Sequence, residues 1–281
     1  MSTSSLWSLI GTETIDTATI AQDLQLERAK EVGTALSVDF VAGFAASLLV
    51  SPAVAIIDKA IITNASGKES FNEGLKNMTK LLITRPHQFI RQPYFFPVFC
   101  IFGGTYAVAN SIDTICYHAN IRPTLPKFAA SSVVNIALNG WKDSLFTRWY
   151  GTVKPRPLPA LSLGLFAVRD SITVATAFLA PPLISPYLQD LGLSKHTADV
   201  AAQITAPCAV QFVSTNIHLY ALDLYNHPGL SWAEHSALIR KNYWTSSVGR
   251  VIRTLPGFGI GGVANMRFRN GLKEVVEGKL F

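Results

Sequence analysis

The sequence predicts an all-α, polytopic membrane protein with six transmembrane helices, and three observations carry that prediction. Of its 281 residues 49% are apolar and only 15% charged, against roughly 25% charged in an average soluble domain. The mean hydropathy is +0.28. Apolar stretches recur at helix length, and their polar residues do not alternate with the period of two that a transmembrane barrel requires.

The six stretches fall near 35–57, 93–110, 128–147, 160–184, 198–222 and 248–266. Gly, Pro, Ser or a lone charge interrupts each of them, so none is an unbroken lipid-facing span of ~20 residues. A bundle with a polar interior accommodates such interruptions. Small polar residues recur about one helical turn apart (Gly43 and Ser47; Ser131, Asn135 and Asn139; Thr173 and Thr176), the pattern of helices packed closely on one another. Between the second and third stretches, and between the fourth and fifth, the loops are short. The connections 58–92, 148–159 and 223–247 carry eleven Lys and Arg between them, against three in the other two loops, which places them together on one side of the membrane with both termini on the other. Within the first long loop, Phe71, Leu75, Met78 and Leu82 share one face of an amphipathic segment at 71–83, read either as a surface helix or as a solvated linker.

Charge is uneven along the chain. Residues 1–33 form a polar, acidic tail with Glu13, Asp16, Asp23, Glu27 and Glu31, while the remainder is strongly basic. The bases sit in short loops rather than on one face interleaved with aromatics, so a nucleic-acid partner is not expected. Anionic lipid or a small anionic solute fits better. The tail lacks the apolar run of a secretory signal and has no arginine before Arg28, so no cleaved presequence is expected.

The chemistry-bearing residues form no catalytic constellation. Cys100, Cys116 and Cys208 have no metal-ligand or disulfide spacing, and the six histidines include no H-x-x-x-H pair, so neither a metal nor a cofactor is expected. Gly257, Gly259, Gly261 and Gly262 spell GFGIGG, but no strand precedes it, so close helix packing outweighs a nucleotide loop. Asp143 lies near Lys142 and Arg148 without a nucleophile, and reads as a helix-end ion pair. No enzyme activity is expected.

Internal self-similarity organises the chain further. Pro93–Gly104 (PYFFPVFCIFGG) and Val251–Gly262 (VIRTLPGFGIGG) share a proline, an aromatic two residues on, an isoleucine four on and a closing Gly-Gly. Ala167–Phe178 shares the arginine three residues before that proline. Three repeats of one helix pair follow, at 34–117, 118–195 and 196–281.

On these residues the chain resembles the mitochondrial carrier family, whose odd helices close with P-x-[DE]-x-x-[KR] and whose even helices carry R-x-x-P-G. The matches are Ser51-Pro52, Asp143 with Thr147-Arg148, Arg169-Asp170 with Phe178, and Arg253-Thr-Leu-Pro256-Gly257-Phe258. The resemblance covers roughly 36–272. It implies three pseudo-symmetric helix pairs in a mitochondrial membrane, inner favoured over outer, and passage of a small anionic solute. It also implies solute contacts at Arg169, Arg253, Tyr94 and Arg91, with gate and helix-kink roles for Pro52, Asp143, Arg148, Trp141, Pro97 and Pro256. For the two arginines inside helices a structural role stands beside the solute-facing one: Arg169 with Asp170 or Asp143, and Arg253 reaching the interface.

The gate departs from that pattern. Val54 and Ile57 stand in the charged positions of the first repeat, Trp141 and Phe146 replace proline and base in the second, and the third has Asn216, His218 and Ala221. An uncharged closure by Trp141, Phe146 and Ile57 is one implication. The other is a carrier relative that has lost transport and serves in the outer membrane as an adaptor or insertion factor.

Overall fold

A computed structural model describes residues 17–278; the first sixteen residues of the acidic tail and the last three of the chain lie outside it. Ten α-helices and one π-helical segment make up the fold, and no strand occurs among the described residues. Helix α1 runs from Thr17 to Ala65 and takes in the second half of the tail. It is followed by α2 (Phe71–Thr84), α3 (Pro86–Ile90), α4 (Phe95–His118) and α5 (Thr124–Tyr150). Next come α6 (Ala160–Leu179), α7 (Pro181–Asp190), α8 (Lys195–Asn226) and α9 (Trp232–Leu255). The π segment Pro256–Gly261 leads directly into α10 (Gly262–Glu277).

Local chemistry sets most of the boundaries. The side-chain oxygens of Ser70 and Ser231 accept from the backbone N–H of Glu73 and Glu234, whose carboxylates reach back to the cap N–H groups, so α2 and α9 each start with a reciprocal capping box. Proline opens α3 and α7, where a missing N–H leaves nothing unpaired. Helix α2 buries Met78 and packs Phe71, Leu75 and Leu82 against the core, as its amphipathic pattern foretold. Pro97 stands in the first turn of α4 and Pro52 in the interior of α1.

The long helices pack in chain order around a ring. Helix α1 lies on α4, α4 on α5, α5 on α6, α6 on α8 and α8 on α9, while α9, the π segment and α10 return to α1. The α1–α4 contact is the closest. A Cβ on Gly43 would sit 2.6 Å from the Ala107 nitrogen, and one on Gly103 would meet the Phe44 ring at 2.5 Å. Ser47 adds a hydrogen bond to the Phe99 carbonyl at 2.7 Å. Small residues therefore let two backbones touch. In the π segment, the Tyr106 hydroxyl donates to the Gly257 carbonyl at 2.7 Å, and a Cβ on Gly261 would fall 2.1 Å from that hydroxyl. The glycines of GFGIGG are thus packing residues. Among the described residues, three helical stretches, in α1, α4 and α6, are long and apolar enough to cross a membrane.

Two polar layers cross the ring. The apolar core gathers at one end, where Val54, Phe89, Tyr94, Phe95, Phe146 and Phe166 interlock, and a charged layer around Asp58 lies beside it. At the opposite end Arg269 of α10 donates from Nε to Asp39 of α1 at 2.6 Å and from Nη2 to Thr114 of α4 at 2.9 Å. Asn110 and Asn265 exchange amide hydrogen bonds at 2.8 and 2.9 Å, and Lys127 of α5 pairs with Asp113 at 2.6 Å. Asp39 is fully buried, so Arg269 is its necessary counterion. Arg269→Met is expected to lower stability by about 3–5 kcal/mol, the penalty for stranding a buried charge, whereas adding Asp39→Asn restores most of it. Thermal unfolding of the single and double variants in detergent measures the difference.

Candidate functional site

Six α-helices and the π segment line a cavity of about 190 Å³ between the two polar layers. Along α5 the lining residues Ser131, Ser132, Asn135 and Asn139 fall between Lys127 of one layer and Lys142 of the other. Thr105 and Tyr106 of α4, Thr173 of α6, Gln211 of α8 and Thr254 of α9 add polar wall, while Val98, Ile101, Phe102 and Val174 add apolar wall. The volume is below the roughly 300 Å³ at which drug-sized pockets begin, and the mixture of apolar wall with a few polar groups is that of a small-molecule site.

At one end the cavity is floored by a chain of buried charges that ties five helices together. Asp58 of α1 accepts from Lys142 of α5 at 2.7 Å and from Arg253 of α9. Lys142 also contacts Asp143 at 3.0 Å, and Asp143 pairs with Arg169 of α6 at 2.7 Å. Arg169 forks onto Asp170 with contacts of 2.6 to 2.9 Å. Its Nη1 lies 2.7 Å from Nδ1 of His218 on α8. A guanidinium can only donate, so that nitrogen accepts and the imidazole is uncharged. Asp143 and Lys142 are 0% and 2% exposed. The Phe146 and Phe166 rings, both fully buried, lie 5.5 Å and 5.0 Å from the charged groups of Lys142 and Arg169.

One cation in this neighbourhood has no acid. Arg250 of α9 is 5% exposed and lines the cavity. Its Nη2 donates to the Ser214 hydroxyl at 3.2 Å and its Nε has no hydrogen-bond partner. No carboxylate pairs with it among the described residues.

The sequence-derived candidates separate cleanly in space. Arg253 lines the cavity; Arg169 sits in its floor, wholly engaged by Asp143, Asp170 and His218. Tyr94 belongs to the apolar core, with the Lys59 ammonium 4.8 Å from its ring, and Arg91 is exposed. Of the gate and kink residues, Asp143 lies in the charge chain. Trp141 points outward, 40% exposed against Phe96, and Arg148 is exposed without an ion pair among the described residues. Pro97 sits in the first turn of α4, and Pro256 starts the π segment. The side chain of Phe178 lies outside the described residues. Asp58, Lys142, Asp170 and Arg250 were not among the candidates. Two signals in the sequence point to them: the acid-base neighbours Asp58-Lys59 and Lys142-Asp143, and the three-residue spacing of Arg250 and Arg253, which puts both on one helix face.

A family model for probable citrulline exporters matches residues 42–273, most of the chain. The chain belongs to that family. No curated protein matches it. The family match overturns the resemblance to mitochondrial carriers, and with it goes the ground for a mitochondrial membrane. The motif residues that carried the resemblance have local explanations: Arg253 neutralises Asp58, Arg169 neutralises Asp143 and Asp170, and Pro256-Gly257 opens a π turn braced by Tyr106. The expected loss of the charged floor is also corrected. The charge columns at Val54, Ile57 and Phe146 are uncharged, but buried charges stand beside them: Asp58 follows Ile57, Lys142 precedes Asp143, and Arg169 of α6 completes them.

Lys142→Met should therefore cost about 3–5 kcal/mol, because it leaves Asp58 and Asp143 buried and short of positive charge. Arg148→Ala should stay within about 0.5 kcal/mol. Melting temperatures of the two purified variants against the parent protein distinguish the layers of this site.

Proposed function

We propose that this member of the probable citrulline exporter family passes a small, amino-acid-sized polar solute, with citrulline as the first candidate, through the central cavity. The observation that carries the reading is the placement of the cavity: it is enclosed by helices that follow one another around a ring and is bounded at each end by a layer of buried ion pairs. Each layer is a set of discrete contacts between helices, so each can be broken and remade as neighbouring helices move. Passage requires the two to open in turn. The wall supplies donors and acceptors at Asn135, Asn139, Gln211 and Thr173, which suit a solute that carries amide-like groups as well as charge. The reading is one of transport, with no chemical conversion.

The bundle crosses the membrane six times in this proposal, through α1, α4, α5, α6, α8 and the α9–π–α10 unit, arranged as three helix pairs. Helices α5, α8 and α9 are more polar than a lipid-exposed span because they give one face to the cavity or the charge chain. The adaptor alternative drew its motive from missing floor charges, and that motive lapses with the Asp58–Lys142–Asp143–Arg169 chain in place.

Two measurements test the proposal. Proteoliposomes preloaded with labelled citrulline should release it saturably and faster than empty-vesicle controls; equal leakage with and without protein would discard the solute reading. In sealed vesicles, Lys68→Cys and Lys154→Cys should react with an impermeant maleimide from one side, and Asn120→Cys and Leu193→Cys from the other. Labelling of all four from the same side would discard the six-span arrangement.

A further inference from the structure

The charge chain leaves a surplus that bears on what the cavity selects. Three carboxylates, Asp58, Asp143 and Asp170, are matched by three cations, Arg253, Lys142 and Arg169, within ion-pair distance. His218 is neutral for the reason given above. Arg250 is the fourth cation, buried, lining the cavity, and held among the described residues by the Ser214 hydroxyl alone. Ser214 is itself fixed, since its Oγ lies 3.3 Å from the Gln211 amide oxygen, and the Gln211 amide nitrogen donates to the Pro207 carbonyl at 2.9 Å. The guanidinium is thus positioned by neutral groups and is left with donors to spare.

We propose that Arg250 binds the carboxylate of the transported solute, and that the single surplus positive charge makes the cavity select solutes with a neutral side chain over isosteric cationic ones. The inference rests on the transport reading for its solute, but the carboxylate site stands on geometry of its own. A buried arginine in a weakly polarisable surrounding requires an anion or water, and a planar carboxylate matches its fork in two parallel hydrogen bonds. An α-amino acid also brings an ammonium group. Asp170 lines the same cavity, and its carboxylate retains lone pairs beyond those that Arg169 uses. The remainder of the solute then meets the amides of Asn135 and Asn139 and the hydroxyls of Ser131 and Thr105. A ureido group can both donate to and accept from such a wall. A guanidinium of the same shape can only donate, and it adds a second uncompensated cation to a region already positive by one. Exclusion by unpaired charge is a strong form of specificity, since the wrong solute must be buried without a counterion.

The test is ligand binding to the purified, full-length protein, read from ligand-dependent melting and from calorimetry. The probes are citrulline, its carboxamide (in which the carboxylate becomes a neutral amide), arginine and glutarate. The parent protein should bind citrulline roughly thirtyfold or more tightly than the carboxamide, and more tightly than arginine by at least about tenfold. Arg250→Gln should bind citrulline and the carboxamide alike, and Arg250→Lys should keep part of the preference. Equal binding of citrulline and its carboxamide by the parent protein overturns the inference, as does an intact preference in a folded Arg250→Gln protein. If Arg250→Gln does not fold, Ser214→Ala replaces it. That variant should weaken citrulline and spare the carboxamide, and equal weakening of both overturns the inference. Glutarate separates the two levels of argument: binding of glutarate but not citrulline, lost in Arg250→Gln, keeps Arg250 as the carboxylate site and rejects the citrulline reading. Binding of no carboxylate rejects Arg250.

Discussion

Lys142 is the constraint on which the rest of the molecule depends. It reaches 2.7 Å from Asp58 and 3.0 Å from Asp143, and through those two carboxylates it connects α1, α5, α6 and α9. A buried ammonium loses several kcal/mol of hydration free energy, which only closely placed acids can offset. The helices must therefore lie in one relative register, because a slide of one turn, about 5.4 Å, would carry any member out of ion-pair range. Apolar packing alone would not be so exacting: Val, Ile and Phe side chains on neighbouring helices can repack across a turn for a modest loss. Specificity of register is therefore supplied at this end by charge, and stability by the adjoining core of Tyr94, Phe95, Phe146 and Phe166.

The opposite end is built differently, and the contrast is informative. There α1, α4 and α10 meet through one buried acid, Asp39, with Arg269, Thr114 and the paired amides of Asn110 and Asn265. Fewer formal charges are committed, and more of the contacts are neutral hydrogen bonds, each individually worth about 1 kcal/mol. Between the two layers, α1 and α4 approach so closely at Gly43 and Gly103 that no Cβ fits there, while the last helix is interrupted by a π segment whose Gly257 carbonyl accepts from Tyr106. The α9–π–α10 unit, which holds Arg250, Arg253 and Arg269 on a single interrupted helix, touches both layers and the cavity.

Much of this fold was legible in the sequence because it follows from periodicity and composition. The apolar stretches, the amphipathic face of 71–83, and the packing role of the Gly257–Gly262 run all come from local signals. The extent of α1 did not, since Ile20, Leu24, Leu26 and Val32 are too few among the polar residues of 17–33 to form a continuous apolar stripe. The site was harder to read for a different reason. Motif alignment assigns roles by column, and a shift of one residue turns a helix face by about 100°. Val54, Ile57 and Phe146 occupied the charge columns, whereas Asp58 and Lys142, outside those columns, meet across helices. The Arg169–Asp170 pair was legible as sequence neighbours, but the Arg253–Asp58 and Asp143–Arg169 pairs join different helices, which no spacing along one segment reveals. Arg250 escaped notice because its significance lies in a missing partner, and that becomes visible only when every nearby acid has been assigned.

The low charged fraction of the sequence then takes on a more definite meaning. A membrane protein that keeps seven formally charged residues at one buried level incurs a large desolvation penalty, and one that leaves the fourth cation without an acid gives up stability that a single further carboxylate would restore. The chain has such carboxylates to hand in Asp58, Asp143 and Asp170, yet all three are committed to other bases. The cavity wall thus carries one cation more than the neighbouring acids balance, and in the proposed reading the solute carboxylate pairs with it. Binding energy gained in this way is available to bias the helices that meet at the floor, because Arg250 and Arg253 are one turn apart on α9 and Arg253 is bound to Asp58. If Arg250 takes the solute carboxylate as proposed, occupancy of the cavity bears on the ion-pair layer through one turn of one helix.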